Sequence, residues 1–220
     1  MKEHELHNYK LVLQYEGIRY NGWQKQKNQE NTIQEVVENA VFDGTGERAE
    51  VIGSGRTDAG THAMGQVANV KLGQDLEPER LMDNINKHLP SDIKILECEK
   101  VDNRFHARLN AKAKTYMYTL CVGKKPDVFN RRTVLHYCAD LDVNAMKKAA
   151  EYLKGEHDFM SFCSNKRTKK STVRKIYDIE IIKDGDEISF IFKGNGFLYN
   201  MVRILTGTLV EVGLGKTNPD

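Results

Sequence analysis

Apolar residues in this chain recur at two periods, and the order in which those periods alternate constrains the fold more than any other feature. A period of two marks a half-buried strand, and a period near 3.6 marks an amphipathic helix. Residues 9–15 place Leu11, Leu13 and Tyr15 on one strand face. A helix then starts at Thr32, where Thr32 and Glu35 form a capping box and Ile33, Val36, Val37, Ala40 and Val41 make one stripe. Strands follow at 49–52 and 66–72, a helix at 78–88 with Leu81, Ile85 and Leu89 aligned and Pro90 ending it, and a strand at 92–101. The order then recurs. A strand at 114–122 precedes a helix at 142–154 that Gly155 terminates. Strands at 172–183 and 187–193 are joined by the hairpin signal Asp184-Gly185-Asp186. A helix at 197–212 turns Leu198, Met201, Val202, Leu205 and Leu209 inward.

Strand-helix-strand-strand-helix-strand, met twice, predicts an α+β chain of two ferredoxin-like (RRM-like) βαββαβ halves whose antiparallel sheets join, residues 1–105 and 106–220. The second half lacks a counterpart of the last strand. An unpaired sheet edge is therefore expected there, and a version extended past Asp220 is expected to be more stable. The repeat is one of pattern and not of residue identity. The link at 123–141 and the loop at 164–171 are longer than ordinary connections, and such loops often carry function.

Two hundred and twenty residues suffice for one large domain or two small ones. No apolar run approaches the ~20 residues of a membrane span. Residues 1–8 are polar and form no signal-peptide core, which makes the cytoplasm the expected address. The four cysteines, Cys98, Cys121, Cys138 and Cys163, are far apart and form no C-x-x-C pair, which argues against structural zinc and suits a reducing compartment. The net charge of +2 is small, but its distribution is uneven. Lys166, Arg167, Lys169, Lys170, Arg174 and Lys175 form one acid-free basic run, and Arg104, Arg108, Lys112 and Lys114 form another. Acids gather at 75–79, 97–99 and 184–187. Two such basic runs point to a phosphate-binding surface.

The chemistry centres on Gly53-Ser54-Gly55-Arg56-Thr57-Asp58-Ala59-Gly60-Thr61-His62-Ala63, a glycine-rich turn between apolar strands. Its glycines free the backbone and admit a close neighbour. Arg56 and Asp58, two apart, can point the same way. An aspartate in such a turn ordinarily closes its own backbone, but the Arg-Thr-Asp string is long and specific. No helical pattern opens directly after it, so a dinucleotide site lacks its context.

This string resembles the catalytic-aspartate motif of the TruA family of tRNA pseudouridine synthases. The resemblance extends along the chain. It includes Tyr20-Asn21-Gly22-Trp23-Gln24-Lys25-Gln26 with Thr32-Ile33-Gln34, then Phe105-His106-Ala107-Arg108, then Lys114-Thr115-Tyr116-Met117-Tyr118. It continues in Gly155-Glu156-His157-Asp158-Phe159 with Ser161-Phe162, and in Gly196-Phe197-Leu198 with Met201-Val202-Arg203. Thr61 departs from the family's pattern, where valine is expected. The resemblance implies a sheet shared by two halves with helices on one face, an active site in a basic cleft between them, and a homodimer that binds tRNA. It implies isomerisation of uridine at tRNA positions 38 to 40, in the anticodon stem-loop, with neither cofactor nor metal.

That reaction breaks the uracil–ribose C–N bond, rotates the base and rejoins it through carbon. It needs a carboxylate to attack the nucleotide, at the base or at the ribose. The resemblance assigns this role to Asp58, with Arg203 as the guanidinium that favours its charged form. Arg203 sits among Met201, Val202, Ile204 and Leu205, and a charge so placed needs a partner. Tyr116 carries over as the tyrosine that stacks on the uracil and assists proton removal, with Tyr118 supporting it from the core. Arg56 is expected to contact RNA phosphate and help turn the nucleotide out, and Arg108, Lys166, Arg167, Lys169 and Lys170 to bind the RNA backbone. His62 is expected to hold structure. His4 and His7 have helical metal spacing but lie in a polar tail. A non-catalytic RRM-like RNA-binding module is the rival reading. It leaves the Arg-Thr-Asp turn unexplained, and no RNP1-like string is present.

Overall fold

The computed structural model describes residues 6–26, 30–125, 127–165, 167 and 170–220. The chain is mixed α+β and divides into two units, Met1–Ala111 and Lys112–Asp220. The division falls beyond the expected boundary between 105 and 106, because the segment after the first unit's last strand is hydrogen-bonded back onto its sheet.

The first unit runs β1 (His7–Tyr15), α1 (Ile33–Thr45), β2 (Val51–Gly53), β3 (Ala63–Leu72), α2 (Pro78–Asn86) and β4 (Ile93–Val101). Its sheet has the order β2-β3-β1-β4, every neighbouring pair antiparallel. Tyr9, Leu11, Leu13 and Tyr15 of β1 are buried with Ala68, Val70 and Leu72 of β3 and Ile93 and Ile95 of β4. The same core takes Ile33, Val37, Ala40 and Val41 from α1 and Leu81 and Ile85 from α2. Each predicted stripe thus faces the sheet. The Thr32 hydroxyl accepts from the Glu35 amide at 3.4 Å, and Gly46 closes α1 in the left-handed conformation at φ 78°.

The second unit runs β5 (Lys114–Cys121), β6 (Leu135–His136), α3 (Val143–Leu153), β7 (Gly155–Asp158), β8 (Val173–Asp184), β9 (Glu187–Gly194) and α4 (Met201–Gly213). Its sheet has the order β6-β5-β9-β8-β7. Phe190 and Phe192 of β9, Ile176, Ile179 and Ile181 of β8, Met146 of α3 and Met201, Leu205 and Leu209 of α4 form its core. Gly185, at φ 56°, makes the tight β8–β9 turn. Asp142 caps α3, its carboxylate accepting from the Ala145 amide at 3.0 Å.

Three features differ from expectation. The edge of β5 is not wholly open: Leu135 and His136 pair parallel with Leu120 and Cys121, and the Tyr137 amide reaches the Cys121 carbonyl at 2.8 Å. Strand β7 has no apolar alternation to announce it, being polar at a sheet edge. Helix α4 starts at Met201 and not at 197, because Asn200 stands at φ 59° and breaks the helical run.

Candidate active site

The Arg-Thr-Asp turn leaves β2 and returns into β3. Its entry is fastened by the Ser54 amide on the Val67 carbonyl at 2.7 Å and by Gln66 Nε2 on the Gly55 carbonyl at 2.7 Å. Asp58-Ala59-Gly60-Thr61 is a β-turn. The Asp58 carbonyl accepts from the Thr61 amide at 3.1 Å, and Gly60 takes φ 77° at the third position, as a type II turn requires. The Asp58 side chain is exposed, and among the described residues no hydrogen bond or ion pair engages its carboxylate. It does not close its own backbone, so it stays open to a ligand.

The signature at 20–26 forms the bed of this turn. The Trp23 amide donates to the Thr57 carbonyl at 3.0 Å, and the Gly60 amide to the Tyr20 carbonyl at 3.3 Å. Gly22, at φ 80°, lies so close that a Cβ would stand 2.5 Å from the Thr57 carbonyl oxygen. A Cβ on Gly53 would meet the buried Trp23 ring at 2.5 Å. Beneath, the buried Tyr15 hydroxyl shares a 2.9 Å hydrogen bond with Thr57 Oγ1. His62 Nδ1 accepts from the Gly17 amide at 3.3 Å, a structural contact. Burial, reinforced by the 2.6 Å bond to Asp92, pushes the Tyr20 hydroxyl far above its usual pKa, so it stays a donor. The carbonyls of Gly22 and Trp23 also accept from the first two amides of α1, each at 3.0 Å. One segment therefore satisfies the helix end and fixes the aspartate turn.

Arg108 reaches the same surface by another route. Asn8 and Asn69 are both 1% exposed, on the sheet face away from the helices. Asn8 donates to the carbonyls of Asp102 (3.0 Å) and Phe105 (2.9 Å) and accepts from Asn69 at 3.0 Å. Asn69 in turn accepts from the Ala107 amide at 2.9 Å. His106 Nδ1 accepts from the amides of Arg108 and Leu109 at 3.2 and 3.3 Å, which leaves the proton of the neutral ring on Nε2. Asn69→Ala removes the donor to Asn8 Oδ1 and the acceptor of the Ala107 amide. A loss of about 2–4 kcal/mol is expected, since each orphaned buried group costs about 1–3 kcal/mol. Urea unfolding measures it, and an unchanged midpoint would show that the pair holds nothing.

Arg56 and Arg108 are thereby brought together. Gln24 Oε1 accepts from Arg56 Nε at 3.2 Å and from Arg108 Nη2 at 3.4 Å. They line a hollow of about 340 Å3 with Gln24, Gln34, Glu50 and His106. Neither Gln24, His106 nor the two asparagines carries a role that sequence reasoning assigns. Gln24 lies in the 20–26 signature, but the amide contacts join residues far apart in the chain.

The remaining site residues lie in the second unit. Tyr116 is half-buried on β5, with its ring edge-to-face to Phe197 at 5.2 Å, while Tyr118 packs against the core. Arg203 is exposed on the first turn of α4. Its apolar sequence neighbours do not bury it, because helical geometry turns Met201 and Leu205 inward and Arg203 out. A cation in a first turn opposes the helix dipole, by about 0.3–1 kcal/mol at an exposed end. Arg167 and Lys170 are exposed, whereas Lys166 and Lys169 lie outside the described residues.

A profile described as tRNA pseudouridine synthase matches residues 11–110 and 149–220. A tRNA pseudouridine synthase A 2 from Bacillus cereus is 43% identical over 215 residues, covering 98% of this chain and 88% of the relative. A tRNA pseudouridine synthase A from Acetivibrio thermocellus is also 43% identical over the same shares, and one from Brevibacillus brevis is 47% identical over 96% of this chain and 86% of its own. The chain belongs to the tRNA pseudouridine synthase family, whose members isomerise uridine to pseudouridine. Asp58, Arg56, Arg108 and Arg203 fall within the matched residues and Tyr116 outside them. Among the described residues, no helix is long and apolar enough to cross a membrane.

Proposed function

We propose that this chain isomerises uridine to pseudouridine in the anticodon stem-loop of tRNA, as a cytoplasmic homodimer, with Asp58 as the nucleophile. The carrying observation is the exposed, unengaged Asp58 carboxylate on a turn whose backbone is fixed from both sides. A surface aspartate needs no such bed; a nucleophile held for attack does. The glycosidic C–N bond breaks, the carboxylate adding to the base or to the ribose. The base turns and rejoins through C5, whose proton leaves while N1 gains one. Tyr116 stacks on the uracil and assists that proton's departure, and Arg203 is the guanidinium partner of the carboxylate. The strand order β2-β3-β1-β4 supports a ferredoxin-like first unit, and β5-α3-β8-β9-α4 a second one of the same kind.

The test is isomerisation of an unmodified tRNA transcript by the purified chain, with the modified positions mapped. Binding without turnover would favour a plain RNA-binding module. The basic loop makes a separate prediction. Serine at Lys166, Arg167, Lys169 and Lys170 is expected to weaken tRNA binding and flatten its salt dependence by ~0.7–0.9 in log–log slope per lost phosphate contact. An unchanged slope would make the loop a solvated one.

A further inference from the structure

The geometry points to Gln24 as the positioning residue of a phosphodiester clamp on the first unit, in which its Oε1 sets the guanidiniums of Arg56 and Arg108 to receive one RNA phosphate. The inference rests on RNA as the substrate class. It starts from a cost: two cations are drawn to a single neutral oxygen, where they repel each other. A carboxylate at position 24 would neutralise them, and an amide does not. The pair stays charged and available to an anion.

The orientation of the Gln24 amide is determined by its surroundings. Gln34 is 4% exposed on α1. Its Nε2 donates to the Val51 carbonyl at 3.1 Å and to Glu38 Oε1 at 3.0 Å, so its Oε1 faces outward and accepts from the Lys25 amide at 3.0 Å. That oxygen also accepts from Gln24 Nε2 at 2.7 Å. Gln24 must therefore give its NH2 to Gln34 and its oxygen to the arginines. Arg56 spends Nε on this contact and Arg108 one Nη2 hydrogen, leaving their other N–H groups for a phosphate, the anion that guanidinium geometry fits best. His106, whose Nδ1 is occupied by backbone amides, lines the same hollow. Glu50 is the acid in that lining and is exposed, so the two arginines outweigh it. Glu38 is already paired with Lys25 at 3.4 Å.

The experiment measures dissociation constants of an unmodified tRNA transcript across a salt series, together with kcat and KM, on the full chain. Gln24→Ala is expected to weaken tRNA binding about tenfold in the parent chain, but by no more than about twofold when Arg56 and Arg108 are already alanine, because coupled residues are not additive. A structural role through Gln34 would give the same loss in both backgrounds, and that result overturns the proposal. Gln24→Glu keeps an acceptor for the arginines but gives up the donor to Gln34 Oε1, so its thermal midpoint is measured first and binding is read on the folded chain. There it is expected to lower the log–log salt slope by about one phosphate contact. An unchanged slope with unchanged affinity also overturns the clamp. Binding and turnover are read separately. Loss of the coupling with turnover intact defeats the clamp alone, whereas coupling without turnover in the parent chain defeats the enzyme reading alone.

Discussion

Asp58→Asn yields a chain that folds and binds tRNA but isomerises uridine at least about a thousandfold more slowly, the scale of removing a group on which the reaction depends covalently. The substitution preserves size and shape and removes the nucleophilic oxygen pair. Nothing structural depends on that side chain among the described residues: it is exposed and unengaged, and the turn is held through backbone atoms, by the Thr61 amide on the Asp58 carbonyl and the Trp23 amide on the Thr57 carbonyl. Thermal unfolding is therefore expected to be unchanged, and binding to persist, because phosphate contacts supply most of the affinity for a nucleic acid. Turnover near the parent rate would sink the assignment of Asp58. A collapse of tRNA binding in a stable variant would mean instead that the carboxylate serves recognition.

The parts of this fold that bury one face were legible from sequence, and for one reason. Leu11, Leu13 and Tyr15 on β1 and Ile33, Val37 and Val41 on α1 face a common core, so burial imposes its period on the residues. The Asp58 turn was legible because it is rich in glycine, and two of those glycines are required: Gly53 by the close Trp23 ring and Gly60 by its positive φ. What escaped lacks that imprint. Strand β7 is an edge strand of glycine, glutamate, histidine and aspartate, held by its ladder with β8. Asn8 and Asn69 alternate onto the face that sequence logic assigns to water, yet residues 102–107 cover them and the nitrogen and oxygen of each side-chain amide are hydrogen-bonded. Arg203 was misjudged by linear neighbours, since in a helix the residues two before and two after lie on the other side. The Gln34–Gln24–arginine relay links residues 24, 34, 56 and 108, and no local pattern encodes it.

Tyr116→Leu is expected to cost about 10–100-fold in productive tRNA recognition, the equivalent of the ~1–3 kcal/mol of a base–aromatic stack. Tyr116→Phe is expected to keep binding and lose rate, because the ring remains and the hydroxyl does not. The structure separates this aromatic from its neighbours. Phe190 and Phe192 on the adjoining strand are fully buried, and Tyr118 packs on the core. Tyr116 keeps part of its ring in solvent and meets Phe197 at 81° between planes, a contact that fixes the ring without covering it. A core aromatic cut to a smaller side chain typically costs about 3 kcal/mol or more of stability. A stacking platform costs far less stability and mostly function. The two readings are distinguished by measuring urea unfolding and single-turnover isomerisation on the same Tyr116→Leu preparation. A large stability loss with normal turnover of the folded fraction would return Tyr116 to the core, and a near-parent midpoint with turnover cut by an order of magnitude or more would make it the platform on which the uracil is held.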